Sequence, residues 1–519
     1  MTRGFFLYFY DVFVRKKHNK SGSTSIQIIS KSSGKFKLIE TIGSSFDEQE
    51  IAVLFEKGKQ RIKEKEGQFT MFVDQQDAVV ESFLSELHNA QVRTIGPELV
   101  FGKIYDHIGY GKINIPLFRH LVVSRLAFPL SKLKTVEYLY RYQGISITTD
   151  AIYRFLDKLG RDLKETVEDI GFKHTKRVLK EEINIVFYDM TTLYFEASDE
   201  DDLRKTGFSK DGKHSNPQIY LGLLVGLGGY TIGYDIFEGN IYEGHTLIPT
   251  IEKISKRFEL NKPVVVADAG LLSSANISDL EESGYEYILG ARIKGSGKAV
   301  KKIVDSTVFK NGDHIVISDD RKPSRLIVQY SDDRAKKDSH NRARGLERLE
   351  KQIKTGKLTK NNINNRGYNK YLQMEGEIKV SIDKQKYLSD AKWDGLKGYV
   401  TNSRLSDKEI IANYRNLWHI EKAFRMSKTD LRIRPIYHRI KHRIEAHICL
   451  SFAAYTIYKE LERVLKLENF ELSPEKAAEI TRNIYHIEVM LPESRKTKNI
   501  ILKMDGLQNK LIEIVNRNF

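Results

Sequence analysis

Three acidic residues stand where they could do chemistry. Asp189 lies in Val186-Phe187-Tyr188-Asp189-Met190-Thr191-Thr192, an otherwise apolar strand-like run. Asp268 ends the run Val264-Val265-Val266-Ala267-Asp268-Ala269-Gly270. An Asp directly after an apolar run, followed by Ala-Gly, falls at a strand's C-terminal edge with open approach. Ligands bind at that edge in open α/β sheets. Glu421 lies in a helical pattern from Tyr414 to Lys428. Two carboxylates held together repel, and a divalent cation offsets the cost. Mg²⁺ is typically bound by one or two carboxylates together with waters and phosphate oxygens. Two such ions about 3.5–4 Å apart activate a nucleophile and stabilise the leaving oxygen of an in-line displacement at phosphorus. Asp189, Asp268 and Glu421 are therefore the candidate catalytic residues and metal ligands, with Mg²⁺ or Mn²⁺ as the expected ions.

The residues after Glu421 fit such a site. By helical spacing, positions 414, 417, 421, 425 and 428 share a face, which carries Tyr414, Glu421, Arg425 and Lys428. From Glu421 to Ile444 there are eight basic residues: Lys422, Arg425, Lys428, Arg432, Arg434, Arg439, Lys441 and Arg443. They face only Glu421 and Asp430, and His438 and His442 add to them. Phosphate contact is the natural use of such a stripe. The DNA-contact candidates are Tyr414, Arg425, Lys428, Arg432, Arg434, His438 and Arg439, with Thr191 beside Asp189. Each feature also has a plain structural reading. An Asp at a strand end is usually a cap or turn residue, a helical Glu near Lys and Arg is usually a solvated ion pair, and Thr191 and Thr192 suit any strand. The combination is what points to a site.

The elements that must position these residues follow from periodicity. Residues 183–293 read as a strand (Ile183–Phe195), a hairpin (Ile219–Gly226, Tyr230–Phe237) and an amphipathic helix (Thr246–Phe258). A strand (Pro263–Ala267), a helix (Ser274–Ser283) and a strand (Tyr285–Ile293) follow. The order β-β-β-α-β-α-β is that of an RNase H-like core, in which the first and fourth strands are neighbours. The expected fold is α/β: an RNase H-like core with a β-rich insertion, a β-rich N-terminal segment and helical N- and C-terminal regions. The expected division is 1–45 (β-rich), 46–180 (helical, DNA-binding), 181–294 (first part of the core), 295–395 (insertion), 396–442 (last part of the core) and 443–519 (helical).

Several finer expectations follow. N-terminal strands are expected at Phe5–Val14, Thr24–Ser30 and Phe36–Ile42. In the helical region, Ser131–Tyr142 carries Leu133, Val136, Leu139 and Tyr140. Asp150–Leu159 follows Gly144 and a Ser/Thr run. That pattern suits helix-turn-helix and equally any packed helical hairpin. Within the insertion Ser324–Tyr330 reads as a strand. One helix is expected over Asp407–Lys428, and others over Ile444–Leu467 and from Pro474 to Met490.

Composition bounds the function class. The chain has 519 residues, 40% hydrophobic and 30% charged, a globular balance. Lys and Arg number 85 against 69 Asp and Glu, a net charge of +16, which favours a polyanionic partner. The lone Cys449 excludes an intramolecular disulfide and a Cys-cluster zinc site. Phe5–Val14 has its basic cluster after its apolar run, the reverse of a signal peptide. Ile219–Phe237 is too Gly-rich for a membrane span. A cytoplasmic, nucleoid-associated protein is expected.

Together these residues resemble the DDE-type bacterial insertion-sequence transposases, of the insertion-sequence-four kind with a β-rich insertion. The resemblance spans about 183–293 and 393–460. Its three catalytic acids would be Asp189, Asp268 and Glu421. Its helix signature (Tyr, two residues, Arg, three residues, Glu, six residues, Lys) is matched by Tyr414, Glu421 and Lys428. Leu417 stands at the Arg position; Arg415 is off the face and Arg425 on it. The Asp268 signature, an Asp, two small residues and an aromatic, is matched only as Asp268-Ala269-Gly270-Leu271. The resemblance implies cut-and-paste transposition: hydrolysis at the element's terminal repeats, then attack of the freed 3′ hydroxyl on target DNA. It implies two metal ions and a homodimer on paired ends. Some similar enzymes flip a base onto an insertion-domain Trp. Trp393 would be that residue here, or else a buried core Trp. Tyr242 and His245 precede a helix and would approach DNA or serve as caps. A structure-specific nuclease, or a DNA-binding protein with a decayed core, would share these features.

Overall fold

A computed structural model describes residues 11–32, 35–71, 80, 84–85, 87–88, 91–180, 182–209, 212–358, 362–364, 367–375, 379–491 and 494–519. They fall into two compact units, Met1–Gln91 with Glu488–Lys498, and Val92–Ile487 with Asn499–Phe519.

In the first unit, β1 (Asp11–His18), β2 (Thr24–Ser32) and β3 (Lys35–Ser45) form an antiparallel sheet in that order. Gly22, at φ +87°, supplies the left-handed residue of the β1–β2 turn. Ile26, Ile28 and Ile29 of β2 are buried, and the helix Glu48–Met71 packs on the sheet. The part of the expected first strand at Phe5–Tyr10 lies outside the described residues.

The second unit is built on one eight-stranded sheet. Its strands are β5 (Ile185–Tyr194), β6 (Gln218–Val225), β7 (Thr231–Glu238), β8 (Val264–Ala267), β9 (Tyr287–Ala291), β10 (His314–Ser318), β11 (Arg325–Tyr330) and β14 (Leu396–Thr401). The spatial order is β10-β11-β14-β9-β8-β5-β6-β7. Read from the β7 edge, the first five strands run third, second, first, fourth, fifth. That is the RNase H arrangement, with β5–β6–β7 antiparallel and β5–β8–β9 parallel. Parallel neighbours need a crossover, supplied by the helices Leu247–Phe258 and Ser274–Glu282.

The insertion departs from a purely β-rich segment. Its β10 and β11 continue the core sheet through β14, while β12 (Leu372–Glu375) and β13 (Lys379–Ile382) pair only with each other. Between them runs the 23-residue helix Asp332–Lys354.

The helix Lys441–Leu467 is apolar through its middle and buried over most of its 27 residues. A helix of that kind belongs inside a domain, and it packs against the helices Pro116–Ala127, Thr149–Lys158 and Lys164–Val178. One local expectation changes. Residues Tyr485–Met490 form β15 instead of ending a helix that stops at Thr481. Val92–Thr94 (β4), remote in sequence, supplies the partner: Tyr485 faces Thr94 and Ile487 faces Val92. The helix Lys132–Gln143 buries Thr135, Tyr138 and Leu139, and leaves Leu133 and Tyr140 exposed. Tyr138 turns inward because its ring lies 4.3 Å from that of Phe128 and its hydroxyl accepts from Gln143 Nε2.

Buried charge on the long helix is compensated. Glu460, fully buried, accepts two hydrogen bonds from Arg463 (2.7 and 3.0 Å) and lies 3.3 Å from His174 Nε2. Burial opposes ionisation, yet His174 and Arg463 hold the Glu460 carboxyl at about 2. The folded value lies below the unfolded one, so this stabilisation is present above about pH 4.5 and lost as pH falls toward 2. Glu460→Ala leaves a buried histidine and a cation without their partner. We expect unfolding free energy to drop by about 3–5 kcal/mol in denaturant titrations at pH 7, with a smaller difference between variant and wild type below pH 3.

Candidate active site

Asp189 sits within β5 and Asp268 just past the end of β8. In the parallel register Tyr188 faces Ala267, so an aspartate follows each member of an adjacent pair. Both carboxylates are half-buried. Met190 N–H donates to Asp189 Oδ1 and Gly270 N–H to Asp268 Oδ1, each at 2.7 Å. The Asp268 hydrogen bond closes a tight turn before Ser273, which caps the next helix through Asn276 N–H. Thr191 and Thr192, on the same strand, are buried within the sheet.

The expected helix over Asp407–Lys428 is two helices, Asp407–Arg415 and Trp418–Arg425, followed by a π-helical turn over Met426–Asp430. At the junction the hydrogen bonds tighten to three-residue spacing, from Leu417 N–H to Tyr414 O and from His419 N–H to Asn416 O. The buried stripe runs Ile410, Tyr414, Leu417, Ile420, Ala423 and Phe424. Tyr414 and Leu417 therefore belong to the core, whereas Glu421 and Arg425 flank the stripe and are exposed. The proposed common face is thus half core and half surface. An apolar Leu417 suits its position better than the arginine of the signature.

Tyr414 reaches the turn that carries Asp268. A Cβ built on Gly290 of β9 would lie 2.3 Å from Tyr414 Oη and 2.9 Å from Ala269 N. Gly290 thus permits this close approach. Burial raises the Tyr414 hydroxyl pKa, and the charges of Asp268 and Glu421 add to the rise. Lys397 of β14 lies over the Tyr414 ring, its Nζ 4.3 Å from the centroid. Burial and Arg334 lower the Lys397 pKa, against the pull of Glu421 and Asp268. Asp268 and Glu421 therefore act electrostatically on the same two side chains. Among the described residues no three His, Cys, Asp or Glu side chains close into a metal-holding cluster. The carboxylates offer the hard oxygen donors that Mg²⁺ or Mn²⁺ takes.

Lys397 and Gly290 were missed by sequence reasoning. The signal for Lys397 was present as a lone cation in the apolar run Leu396–Thr401. Gly290 had none, because its role is set by a helix far along the chain. Both line a cavity of about 550 Å³ with Arg334, Arg342, Tyr368 and Trp393.

The basic stripe divides. Lys422 pairs with buried Glu462, which Lys459 and Lys466 also reach. Arg443 makes two hydrogen bonds to Asp157, and His442 makes one. Arg439 is exposed, 3.6 Å from Asp199. Arg432 is exposed; Lys428 and Arg434 are half-buried. His438 is buried; burial, with Lys132 and Arg125 nearby, depresses its pKa to about 3. It is neutral at pH 7 and does not present the expected cation. Trp393 is a core residue, packed with Ile293, Val304 and Leu396. The more exposed of the two tryptophans is Trp418. Tyr242 and His245 are exposed and stacked edge to face, and no side chain caps the helix after them.

The sheet is RNase H-like, with one aspartate inside its first strand and another just past the end of its fourth. A family model for the transposase DDE domain matches residues 180–457, more than half the chain. The protein belongs to that family. No curated protein matches the chain. Among solved structures, it is similar to the piggyBac transposase synaptic complex with hairpin DNA, at 9% identity and a TM-score of 0.38. That match covers 70% of this chain and 69% of the other. The Mos1 transposase paired-end complex with the left transposon end matches at 13% identity and a TM-score of 0.15, over 30% and 53% of the two chains. Among the described residues no helix is long and apolar enough to cross a membrane.

The Gly290–Tyr414 contact is testable. Overpacking typically costs about 1–3 kcal/mol, and we expect that loss for Gly290→Ala in denaturant melts. In a Tyr414→Phe background the loss should shrink, since the nearest clashing atom is gone, though the contact with Ala269 N remains. Equal losses in both backgrounds would show that this contact is not made.

Proposed function

We propose that this protein is an insertion-sequence transposase of the insertion-sequence-four kind. It would bind the terminal inverted repeats of its element and carry out cleavage and strand transfer. The reading rests on the β5–β8 register, in which an aspartate follows each of two facing residues. Family membership supplies the reaction class.

Asp189, Asp268 and Glu421 would hold the divalent ions, probed as Mg²⁺ or Mn²⁺. When bound, such ions favour the attacking oxygen and stabilise the leaving one in a displacement at phosphorus. The protein's own groups do the rest. Gly270 N–H fixes the Asp268 carboxylate, and Met190 N–H fixes that of Asp189. Lys397, held against Tyr414, offsets the Asp268 and Glu421 charge and would contact a phosphate oxygen as DNA enters. Arg425, exposed one turn beyond Glu421, is suited to a neighbouring phosphate. Glu421 is carried by a helix whose next residue, Lys422, is tied to the long buried helix through Glu462. That tie keeps the third acid from swinging freely.

Residues 46–180 would supply DNA binding, and 295–395 the insertion that covers the active site. Catalysis on paired ends would use a homodimer. The protein would work in the cytoplasm, on the nucleoid.

The test is cleavage of linear DNA carrying the gene's flanking ends, with Mg²⁺ or Mn²⁺. Wild type should cut at the ends, and chelation should stop it. Asp268→Ala should reduce cutting to background while retaining end binding. Binding without cutting by wild type would point to a decayed DNA-binding protein, and cutting indifferent to the ends would point to a nuclease.

A further inference from the structure

A second cavity, also about 550 Å³, lies between the loop after the helix Pro116–Ala127, the start of the helix Lys132–Gln143 and the segment 432–438. Its lining includes Arg125, Lys132, Arg432, Arg434, His438 and His447, and no acidic residue. Arg125 is buried at 6% exposure, and its guanidinium donates to the carbonyls of Leu431 and Arg432 and lies 3.4 Å from His447 Nδ1. Those neutral contacts hold the guanidinium in place without cancelling its charge. Burial brings the Arg125 pKa down to about 10, with no carboxylate opposing the fall. Lys132 makes no ion pair among the described residues; burial and the Arg125 charge hold its ammonium well below the usual lysine range. His438 is 8% exposed, and its ring makes no hydrogen bond among the described residues.

Buried charges are ordinarily paired, and two acids of neighbouring segments are engaged elsewhere. Asp157 is taken by Arg443 and His442, and Asp199 faces Arg439. The lining brings Arg125, Lys132 and Arg432 together with no acidic residue among them, which suits an anion. Ser131 caps the helix Lys132–Gln143 at the cavity's edge, so that helix's positive end adds to the field. Tyr437 lines the mouth and Leu133 adjoins it, each 69% exposed. Exposed apolar groups beside a cation cluster suit a sugar or base attached to the anion better than a bare ion.

We propose that this cavity is a phosphate pocket, separate from the carboxylate site, that seats a backbone phosphate of bound DNA. The phosphate assignment rests on the cavity alone; the assignment to DNA rests on the transposase reading above. The pocket positions the duplex and reads no bases. Its lining residues Arg432, Arg434 and His438 lie 11 to 17 positions after Glu421. A phosphate held there would constrain the segment that leaves the Glu421 helix.

The test uses the full chain, Lys132→Gln and Arg432→Gln. Arg432 is exposed, so its replacement does not threaten folding. Duplex carrying the element's ends is titrated across a salt series, and inorganic phosphate is titrated separately by thermal shift. Each variant should weaken duplex binding about three- to tenfold, alike for end and unrelated sequences. Each should also lower the slope of log K against log salt by about one. Inorganic phosphate should raise the wild-type melting temperature and do less for either variant. Unchanged duplex affinity and slope in both variants, with the phosphate response still weakened in both, would overturn the DNA assignment in favour of a free phosphate compound. Loss of neither response in either variant would overturn the pocket. Wild type that binds no duplex but still responds to phosphate would sink the transposase reading and leave the phosphate site standing.

Discussion

The parallel pairing of β5 with β8 places an aspartate after each of two facing residues, and much of the second unit depends on that pairing. The pairing of β5 with β8 sets their spacing, and it cannot form locally, because parallel strands need a crossover between them. The hairpin of β6 and β7 and the helix Leu247–Phe258 fill that interval. β5 is flanked on both sides and most of its residues are buried, so its register is strongly specified. A slip by one residue would turn Asp189 to the opposite face. Backbone N–H groups of Met190, within β5, and Gly270, after β8, donate to the two carboxylates.

Glu421, the third proposed acid, depends on packing of a different kind. Glu421 is exposed because its neighbours on the stripe from Ile410 to Phe424 are buried. Their burial fixes the rotation of the helix. The tightened turn at Asn416–Leu417 lets the second helix take its own angle while Tyr414 stays against Gly290. Lys422 then ties this helix to Glu462 on the long helix. A buried carboxylate shared by several lysines is a poor source of net stability but a good source of a fixed geometry. The insertion adds to the same place: its strands β10 and β11 extend the sheet from β14, the strand that carries Lys397.

Charge on the surface is less uniform than a count of lysines and arginines implies. Within the stretch after Glu421, Lys422, His442 and Arg443 are consumed by internal pairs, and His438 is buried and neutral. Arg432 instead shares a cavity with Arg125 and Lys132, some 300 residues earlier in the chain. Composition predicts that a basic protein meets a polyanion. It does not say where the two touch.

The sequence alone determined the core strands and their order. β-branched apolar runs bounded by turn residues carry their own local signature, so the observed strand ends differ from the expected ones by only a residue or two. It also carried the RNase H order, since three strands followed by alternation leave few ways to close a sheet. Tertiary structure decided whatever depends on a distant partner. Tyr485–Met490 is a strand because Val92–Thr94 offers it an edge. Leu133 and Tyr140 face outward because Phe128 takes Tyr138 instead. Tyr414 is core and Glu421 surface because the helix breaks between them. Lys397 and the cluster around Arg125 could not be read from spacing, because each unites segments far apart along the chain. Periodicity reports what one element buries; it does not report what that element is buried against.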